Sequence, residues 1–261
     1  MTTTKSILPL LLSEFIGTAL LLLIGLSVVI FFWGEGSAMT HLIPNESLRR
    51  AVTGFFFGFT GCLISLSPVG RISGAHINPV VSFAFWLRGK MKTKAMIGYI
   101  TSQMLGAVAG SCFLLLWGEQ GKSISYGNTV PGSGGMMAAF YGELFTTAGL
   151  ITVLFLFAGR KSLRHFTPYS IPFLYCVMVC VESPLSGCST NPARSFGPAV
   201  VIGVYTGYWL YWLAPVCGTL LVVVIFKLLR LHHYYRLETA RVSYHNSPTP
   251  ESIRTSDVTK K

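Results

Sequence analysis

Two asparagine-proline pairs are the residues of this chain best placed to do chemistry. Asn78-Pro79 and Asn191-Pro192 each follow a short segment of small residues, and each precedes an apolar run that a glycine closes. An asparagine side chain at a helix cap accepts from an orphan amide, and a proline at the first helical position has no amide to leave orphaned. Both pairs therefore predict helix starts. A helix over 78–88 would be about 16 Å long.

These short helices need a membrane-spanning scaffold to position them. Only 11% of the 261 residues are charged and 51% are hydrophobic, a composition that excludes a soluble domain. A spanning helix needs about 20 mostly apolar residues. Five stretches fit this condition, 7–33, 51–68, 95–117, 136–158 and 204–226, and a shorter one over 166–181, which contains two prolines, is counted as the sixth crossing. A helix of about 16 Å covers half a bilayer, so the two short helices are predicted to be re-entrant half-helices.

The chain also repeats itself. Residues 73–82 and 186–195 share their Ser-Gly start, the Asn-Pro pair and a final serine, and the first and fourth apolar stretches carry Glu14 and Glu143. Each half, about 7–117 and 136–230, thus contains three crossings and one half-helix. Because three is odd, the second half enters the membrane from the opposite side, which makes the repeat inverted. We predict one transmembrane domain over 1–230.

Basic residues predict the orientation of this domain. With both termini in the cytoplasm, sixteen of the twenty Lys and Arg residues fall on that side, as the positive-inside rule requires. The net charge of +11 is therefore read as an orientation signal of a multi-pass cell-membrane protein and not as a nucleic-acid footprint. The polar tail over 231–261 contains several Ser and Thr residues, but disorder is favoured over phosphoregulation.

The segments before the half-helices predict a pore. Irregular backbone at membrane depth must line a water-filled cavity or be buried in protein. Its carbonyls would form two ladders of acceptors, contributed by Gly74, Ala75, His76, Gly187, Cys188 and Ser189. Asn78 and Asn191 would add donors where the positive helix ends meet, a place unfavourable for cations and protons. Such a lining suits a small neutral molecule such as water.

Other function classes fit the residues less well. An ion channel would show rings of charge, and a coupled transporter would need a midplane carboxylate other than Glu14 and Glu143. The sequence has no Ser/His, metal-ligand or paired-carboxylate cluster at a useful spacing, so neither an enzyme nor a cofactor or metal site is expected. His76 is read as lining a vestibule, with pH gating as the alternative.

The motifs Asn78-Pro79-Val80 and Asn191-Pro192-Ala193-Arg194, with the paired glutamates, resemble the aquaporin (major intrinsic protein) family over roughly residues 7 to 230. The resemblance implies an all-α membrane protein of six transmembrane helices and two half-helices. It also implies a passive water channel with a pore in each protomer of a homotetramer. By the same resemblance Glu14 and Glu143 support the loop backbones, and Val80 stands where the family usually has alanine.

Counting from these motifs assigns the family's narrow filter to Gly58, Val179, Cys188 and Arg194. Water-selective relatives resemble one another in having a bulky aromatic at the first position and histidine at the second. Phe57 or Phe59 could refill the gap at Gly58, and a shift in the count would replace Val179 by Cys180 or Met178.

The filter and its surroundings favour different solutes. Gly58 and Val179 predict a wide, apolar filter and keep open the alternative of an aquaglyceroporin-like channel for glycerol or other small neutral solutes. The residues Ser195, Ala199 and Tyr211-Trp212 differ from those of glycerol facilitators and favour water.

Overall fold

The computed structural model describes residues 6–242, and every regular element in that range is helical. Six long helices and two half-length ones form the channel domain in this order: α1 (Leu8–Trp33), α2 (Glu46–Leu66), α3 (Pro79–Leu87), α4 (Thr93–Cys112), α5 (Gly135–Ala158), α6 (Thr167–Ser186), α7 (Pro192–Ile202) and α8 (Leu210–Leu228). Shorter helical segments, Met39–Leu42, Pro68–Ser73 and Gly118–Lys122, lie in the connections. The half-length helices α3 and α7 are the predicted half-helices. This architecture agrees with the predicted fold class.

The length and composition of the long helices suit a membrane. Among the described residues, the helical stretches around α1, α4, α5, α6 and α8 are long and apolar enough to cross it. The remaining helix, α2, has 21 residues, which is about 31 Å. It is more polar because its first turns contain Glu46, Arg49 and Arg50, which follow the cap that Asn45 forms with the amide of Leu48.

Four helix ends differ from the sequence prediction by five residues or more, and one of them is the start of α2, which begins at Glu46 instead of 51. The last helix begins at Leu210 instead of 204, because Gly203 and Gly207 have positive φ values of 71° and 64° and hold the chain in turns. Helix α4 ends at Cys112 and continues as a 3₁₀ turn to Trp117. Helix α6 continues to Ser186, five residues beyond the predicted end.

Glycines allow the long helices to approach closely. A Cβ on Gly106 or Gly110 of α4 would collide with the backbone of α1, and one on Gly218 of α8 would collide with that of α5. These two crossings are related by the repeat. Small residues at such crossings let helix backbones pack where lipid supplies no hydrophobic driving force.

The predicted tail is packed against the channel as far as Val242. Leu237, Ala240 and Val242 are buried in a cluster with residues of the half-helix α3. The prediction of disorder from residue 231 is therefore wrong for residues 231–242, because three apolar side chains in a polar stretch suffice to hold it. We call residues 236–242 the C-terminal strap. Residues 243–261, with the candidate phosphorylation sites, lie outside the described range.

Polar contacts also hold the strap. The guanidinium of Arg241 donates from Nε to the carbonyl of Ile72 at 2.9 Å, and Arg164 donates to the carboxylate of Glu238, also at 2.9 Å. This hydrogen bond from Arg164 lowers the pKa of Glu238 below its usual value. The contact is therefore complete at neutral pH and weakens as the pH falls through that lowered pKa.

Candidate pore

The two half-helices begin with the same cap. The side-chain oxygen Oδ1 of Asn78 accepts from the amide of Val80 at 3.0 Å, and that of Asn191 accepts from the amide of Ala193 at 3.0 Å. Each asparagine is buried, and both line one cavity. The caps thus fix the orientation of both side-chain amides at the place where the half-helices meet.

Each asparagine also bonds to the opposite half of the repeat. Asn78 donates from Nδ2 to the carbonyl of Thr190 at 2.9 Å, and Asn191 donates from Nδ2 to the carbonyl of Ile77 at 3.0 Å. An amide nitrogen carries two hydrogens, so each keeps one donor beyond this crossed pair. The sequence predicted the donors but not the crossed bonds, which join the two halves at the centre of the protein.

The loops before the half-helices share an unusual backbone. Ala75 and Ile77 have φ values of 50° and 43°, and their counterparts Cys188 and Thr190 both have 51°. Positive φ is rare for residues with a Cβ, above all for β-branched ones, and costs about 1–3 kcal/mol each. Such a conformation persists only where its surroundings hold it in place.

Two buried carboxylates hold these loops. Glu14 accepts from the amides of His76 and Ile77 at 2.9 and 2.7 Å, and Glu143 accepts from the amides of Ser189 and Thr190 at 2.6 and 2.7 Å. Both glutamates are completely buried.

Further polar groups brace the same loops. Gln103 donates to Glu14 at 2.7 Å, and the hydroxyls of Tyr99 and Tyr211 donate to the carbonyls of Ser73 and Ser186. Sequence reasoning did not find these braces, although the two tyrosines lie at corresponding places in α4 and α8.

Two cavities lie beside the half-helices, and Phe57 lines both of them. The outer cavity has a volume of about 300 Å³ and is lined by Val179, Gly187, Cys188 and Arg194 among others. The inner cavity, of about 90 Å³, is lined by both asparagines and by the loop residues Gly74, Ala75 and His76. Phe57 lines both cavities and therefore lies at the constriction between them.

The residue of α2 that reaches both cavities is the aromatic Phe57, whereas the expected Gly58 lines only the inner cavity. The ring centre of Phe57 lies 5.9 Å from the guanidinium carbon of Arg194. A Cβ on Gly58 would be 2.9 Å from the carbonyl oxygen of Ile171 in α6, so this glycine serves a close helix crossing, as does Gly54. The position expected to widen the filter is thus filled by the preceding residue, one of the two alternatives that the sequence left open.

Arg194 is anchored at the constriction by its backbone and its side chain. Its amide bonds to Oδ1 of Asn191 at 3.3 Å, and its Nη1 donates to the carbonyl of Gly127 at 2.6 Å. Arg194, Val179 and Cys188 face the same outer cavity. Three of the four filter positions taken from the sequence are thus together, with Phe57 in place of the fourth.

Two of the residues expected to line the pore, Ser189 and His76, make contacts within the protein. Ser189 is completely buried, and its carbonyl accepts from the hydroxyl of Thr190 at 2.7 Å, which differs from the predicted pore-facing role. His76 lines the inner cavity, but its ring lies between Ser82, at 3.0 Å, and the carbonyl of Ala240 in the strap, at 2.8 Å.

Cys188 lines the outer cavity, so mercury bound to its sulfur would obstruct the path beside Arg194. We expect mercurials to inhibit permeation through the wild-type protein and through Cys112→Ser, whose altered thiol is exposed. The Cys188→Ser variant should resist them. Permeability of proteoliposomes before and after mercurial treatment measures this, and equal inhibition of Cys188→Ser would contradict the placement.

Known proteins resemble this chain in sequence and in fold. The profile of the family described as Major intrinsic protein matches residues 1–226. The chain belongs to this family. Members of the major intrinsic protein family are channels and not enzymes, and the apolar helices described above make this member a membrane protein.

Relatives in this family resemble the chain over most of its length. It is 31% identical to Aquaporin TIP2-3 of Arabidopsis thaliana over 233 residues, covering 88% of this chain and 91% of the relative. It is also 31% identical to Aquaporin NIP1-2 of Oryza sativa subsp. japonica over 232 residues, covering 85% and 71%.

A solved structure shows the same fold. The aquaglyceroporin from Plasmodium falciparum superposes with a TM-score of 0.68 at 19% identity, covering 87% of this chain and 100% of that one.

Proposed function

We propose that the protein is a passive water channel that excludes ions and protons, with one pore in each protomer. The observation that carries this proposal is the pair of cavities that share Phe57, one lined by Arg194 and the other by the crossed asparagines. Family membership supports transport of water or small solutes.

Water passes because the lining replaces its hydrogen bonds along the path. Loop carbonyls from Gly74 to His76 and from Gly187 to Cys188 supply acceptors, and the free hydrogens of Asn78 and Asn191 supply donors at the centre. A molecule that both donates and accepts can exchange partners along such a lining without a large desolvation cost. The inner cavity of about 90 Å³ favours a narrow column of molecules.

Cations are excluded because the charges that face the cavities are positive, whereas the carboxylates of Glu14 and Glu143 lie behind the loops and line neither cavity. The N-termini of α3 and α7 each contribute roughly half a positive charge, and Arg194 adds a full one. None of the described residues that line the two cavities is acidic. Protons meet the same electrostatic barrier.

A glycerol-conducting channel is the second candidate, and Val179 favours it. This side chain adds apolar surface to the outer cavity opposite Arg194, where a polar group would bind water more strongly. Phe57 opposes this alternative because its ring narrows the path between the cavities. Because the narrowing by Phe57 outweighs the apolar surface of Val179, we propose water as the principal solute.

Stopped-flow light scattering on proteoliposomes tests the proposed solute. Vesicles shrunk with sucrose report water flux, and vesicles shrunk with glycerol report glycerol entry through their swelling. We expect fast shrinkage in both and glycerol entry at the rate of empty liposomes. Fast glycerol entry by the wild-type protein would favour the second candidate.

Phe57→Ala should convert the channel to a wider one. Loss of the ring joins the two cavities, so we expect glycerol permeability to rise by roughly an order of magnitude while water permeability persists. Phe59→Ala is the matched control, since Phe59 lies on the same helix with an exposed side chain. Equal glycerol permeability in both variants would show that Phe57 does not form the constriction.

We also propose that the channel is a homotetramer of the cell membrane with both termini in the cytoplasm. Support for the orientation comes from the excess of Lys and Arg on that side, and support for the tetramer comes from membership of the family. Native mass spectrometry in detergent measures the subunit number, and protease protection of tagged termini measures the orientation.

A further inference from the structure

A third buried carboxyl lies beside the outer pore loop. Glu182 is only 4% exposed and lies in α6, one turn before Ser186. Its Oε1 is hydrogen-bonded to the hydroxyl of Ser186, while Oε2 has no hydrogen-bond partner. Neither the sequence motifs nor the transport path accounts for a carboxyl at this place.

Hydrogen-bond balance assigns a proton to Glu182. The oxygen of Ser186 contacts Oε1 of Glu143 and Oε1 of Glu182, and it also accepts from the amide of Cys188 at 3.2 Å. A serine hydroxyl has one hydrogen, so it can donate to only one of the two carboxyls. Glu143 accepts from two backbone amides and must therefore be the acceptor. The other contact requires that Glu182 donates to Ser186.

The first half of the repeat shows what Glu182 replaces. There Ser13, the residue before Glu14, is hydrogen-bonded to Ser73 at 2.9 Å. The residue before Glu143 is Gly142, which has no hydroxyl, and a Cβ at that position would collide with Oε1 of Glu182. The carboxyl of Glu182 thus occupies the place of the missing serine side chain.

The two halves correspond residue by residue at this place. Glu182 lies four residues before Ser186, as Val69 lies four residues before Ser73. Both serines bond to the loop amide two residues further on, Cys188 in one half and Ala75 in the other. In the first half the hydroxyl of Ser13 donates to the carbonyl of Val69 at 2.6 Å and contacts Ser73. The second half braces the corresponding serine, Ser186, with a carboxyl in place of that hydroxyl.

We propose that protonated Glu182 is a positioning residue for the outer pore loop, so that ionisation of Glu182 lowers water permeability. Ionisation would leave two negative carboxylates sharing one hydroxyl and would remove the donor to Ser186. The loop that carries Cys188 and leads into Asn191 and Arg194 would then lose a brace. This inference rests on the proposed function, because water flux is its readout.

The titratable and charged groups around Glu182 come from three elements. Glu143 faces it from α5, Cys188 from the pore loop and Tyr211 from α8. Arg194 of α7 faces Glu143 and Cys188. A change at Glu182 alone leaves all four groups in place, so it separates the titration of Glu182 from theirs.

The first test is the pH profile of water permeability. Proteoliposomes of the full-length protein are measured from about pH 6 to about pH 10, a range in which an ordinary carboxyl of pKa about 4.3 stays ionised throughout. Wild-type protein and the surface control Glu119→Gln should lose permeability as the pH rises. Glu182→Gln, whose amide still donates to Ser186, should keep the neutral-pH value over the whole range. A flat wild-type profile, or a decline that persists in Glu182→Gln, would overturn the proposal.

The second test rebuilds the side chains of the first half of the repeat at the corresponding positions of the second half. Gly142→Ser collides with Glu182, and Glu182→Val removes the donor to Ser186, so each single change should lower permeability roughly threefold. The double variant supplies a serine hydroxyl and removes the collision, so it should regain wild-type permeability without pH dependence. A double variant whose loss of permeability equals the combined losses of the two single variants would overturn the proposal.

If a single variant inserts poorly into liposomes, thermal unfolding in detergent compares the stability of the same four proteins: wild type, the two single variants and the double variant. The double variant should again be more stable than either single variant, and a double variant less stable than both would overturn the proposal. Failure of the proposed function would give a different result, because proteoliposomes of the wild-type protein would then be no more permeable to water than empty liposomes at any pH.

Discussion

Replacing Glu14 by glutamine is expected to lower the free energy of unfolding by about 1–6 kcal/mol, because it leaves one or two buried amide donors without an acceptor at about 1–3 kcal/mol each. The carboxylate accepts from His76, Ile77 and Gln103, and a glutamine has one oxygen where these donors need two. The loss falls on a loop whose backbone is already strained at Ala75 and Ile77. Unfolding in mixed micelles measures the change.

The control for this prediction is Glu119→Gln. Glu119 is a surface residue whose nearest cation, Lys122, is also exposed, so its replacement should leave stability nearly unchanged. Water permeability should follow stability, since the carbonyls of the loop keep their direction only while its amides are held. Equal unfolding free energies for the two variants would show that Glu14 does not support the pore loop.

Replacing Arg194 by valine is expected to let cations and protons leak through the pore. A unit charge about 4 Å from the path contributes about 4 kcal/mol at the effective dielectric constant of a partly buried site. Each 1.4 kcal/mol changes a rate tenfold, so we expect the leak to rise by roughly two orders of magnitude while the helix dipoles retain part of the barrier. A pH-sensitive dye inside proteoliposomes measures the proton flux.

Arg50→Val provides the matched control in the same cavity. Arg50 also lines the outer cavity, but its guanidinium pairs with Glu46 at 2.6 Å on the outer side of α2. Its removal should change the leak little, because the remaining charge at the constriction still repels cations. A leak in Arg194→Val that does not exceed that of Arg50→Val would contradict the assignment of Arg194 as the main electrostatic barrier.

The sequence predicts the architecture well because membrane insertion leaves few solutions. Twenty apolar residues form a helix, and an Asn-Pro pair starts one at a known residue. The matching segments around Asn78 and Asn191 then determine the inverted repeat. Helix ends are harder, because turns such as that at Gly207 depend on a local backbone that hydropathy does not report.

The filter shows the limit of counting along a sequence. Gly58 is 20 residues before Asn78, but the rotation of α2 decides which of its residues reaches both cavities. The contact with Ile171 sets this rotation and turns Phe57 to the constriction. The pair Gly54 and Gly58 was the available signal, since two glycines four residues apart mark the packed face of a helix.

The side-chain hydrogen bonds around Glu182 and the packing of the C-terminal strap could not be predicted from the sequence for another reason. Glu182 lies only a turn from the pore loop, yet its importance depends on a missing side chain at Gly142 in another helix. The strap is polar on average, and Leu237 and Val242 become significant only once α3 offers a surface to cover them. Both are long-range contacts that no local pattern encodes.

The most direct test of a neutral water pore is the osmotic water permeability of wild-type proteoliposomes that contain a pH-sensitive dye. Stopped-flow light scattering with sucrose outside reports the water flux, and the dye reports proton flux in the same vesicles. We predict water flux well above that of empty liposomes and a dye response no faster than theirs. Water flux equal to that of empty liposomes, or a proton leak that rises with it, would contradict the account.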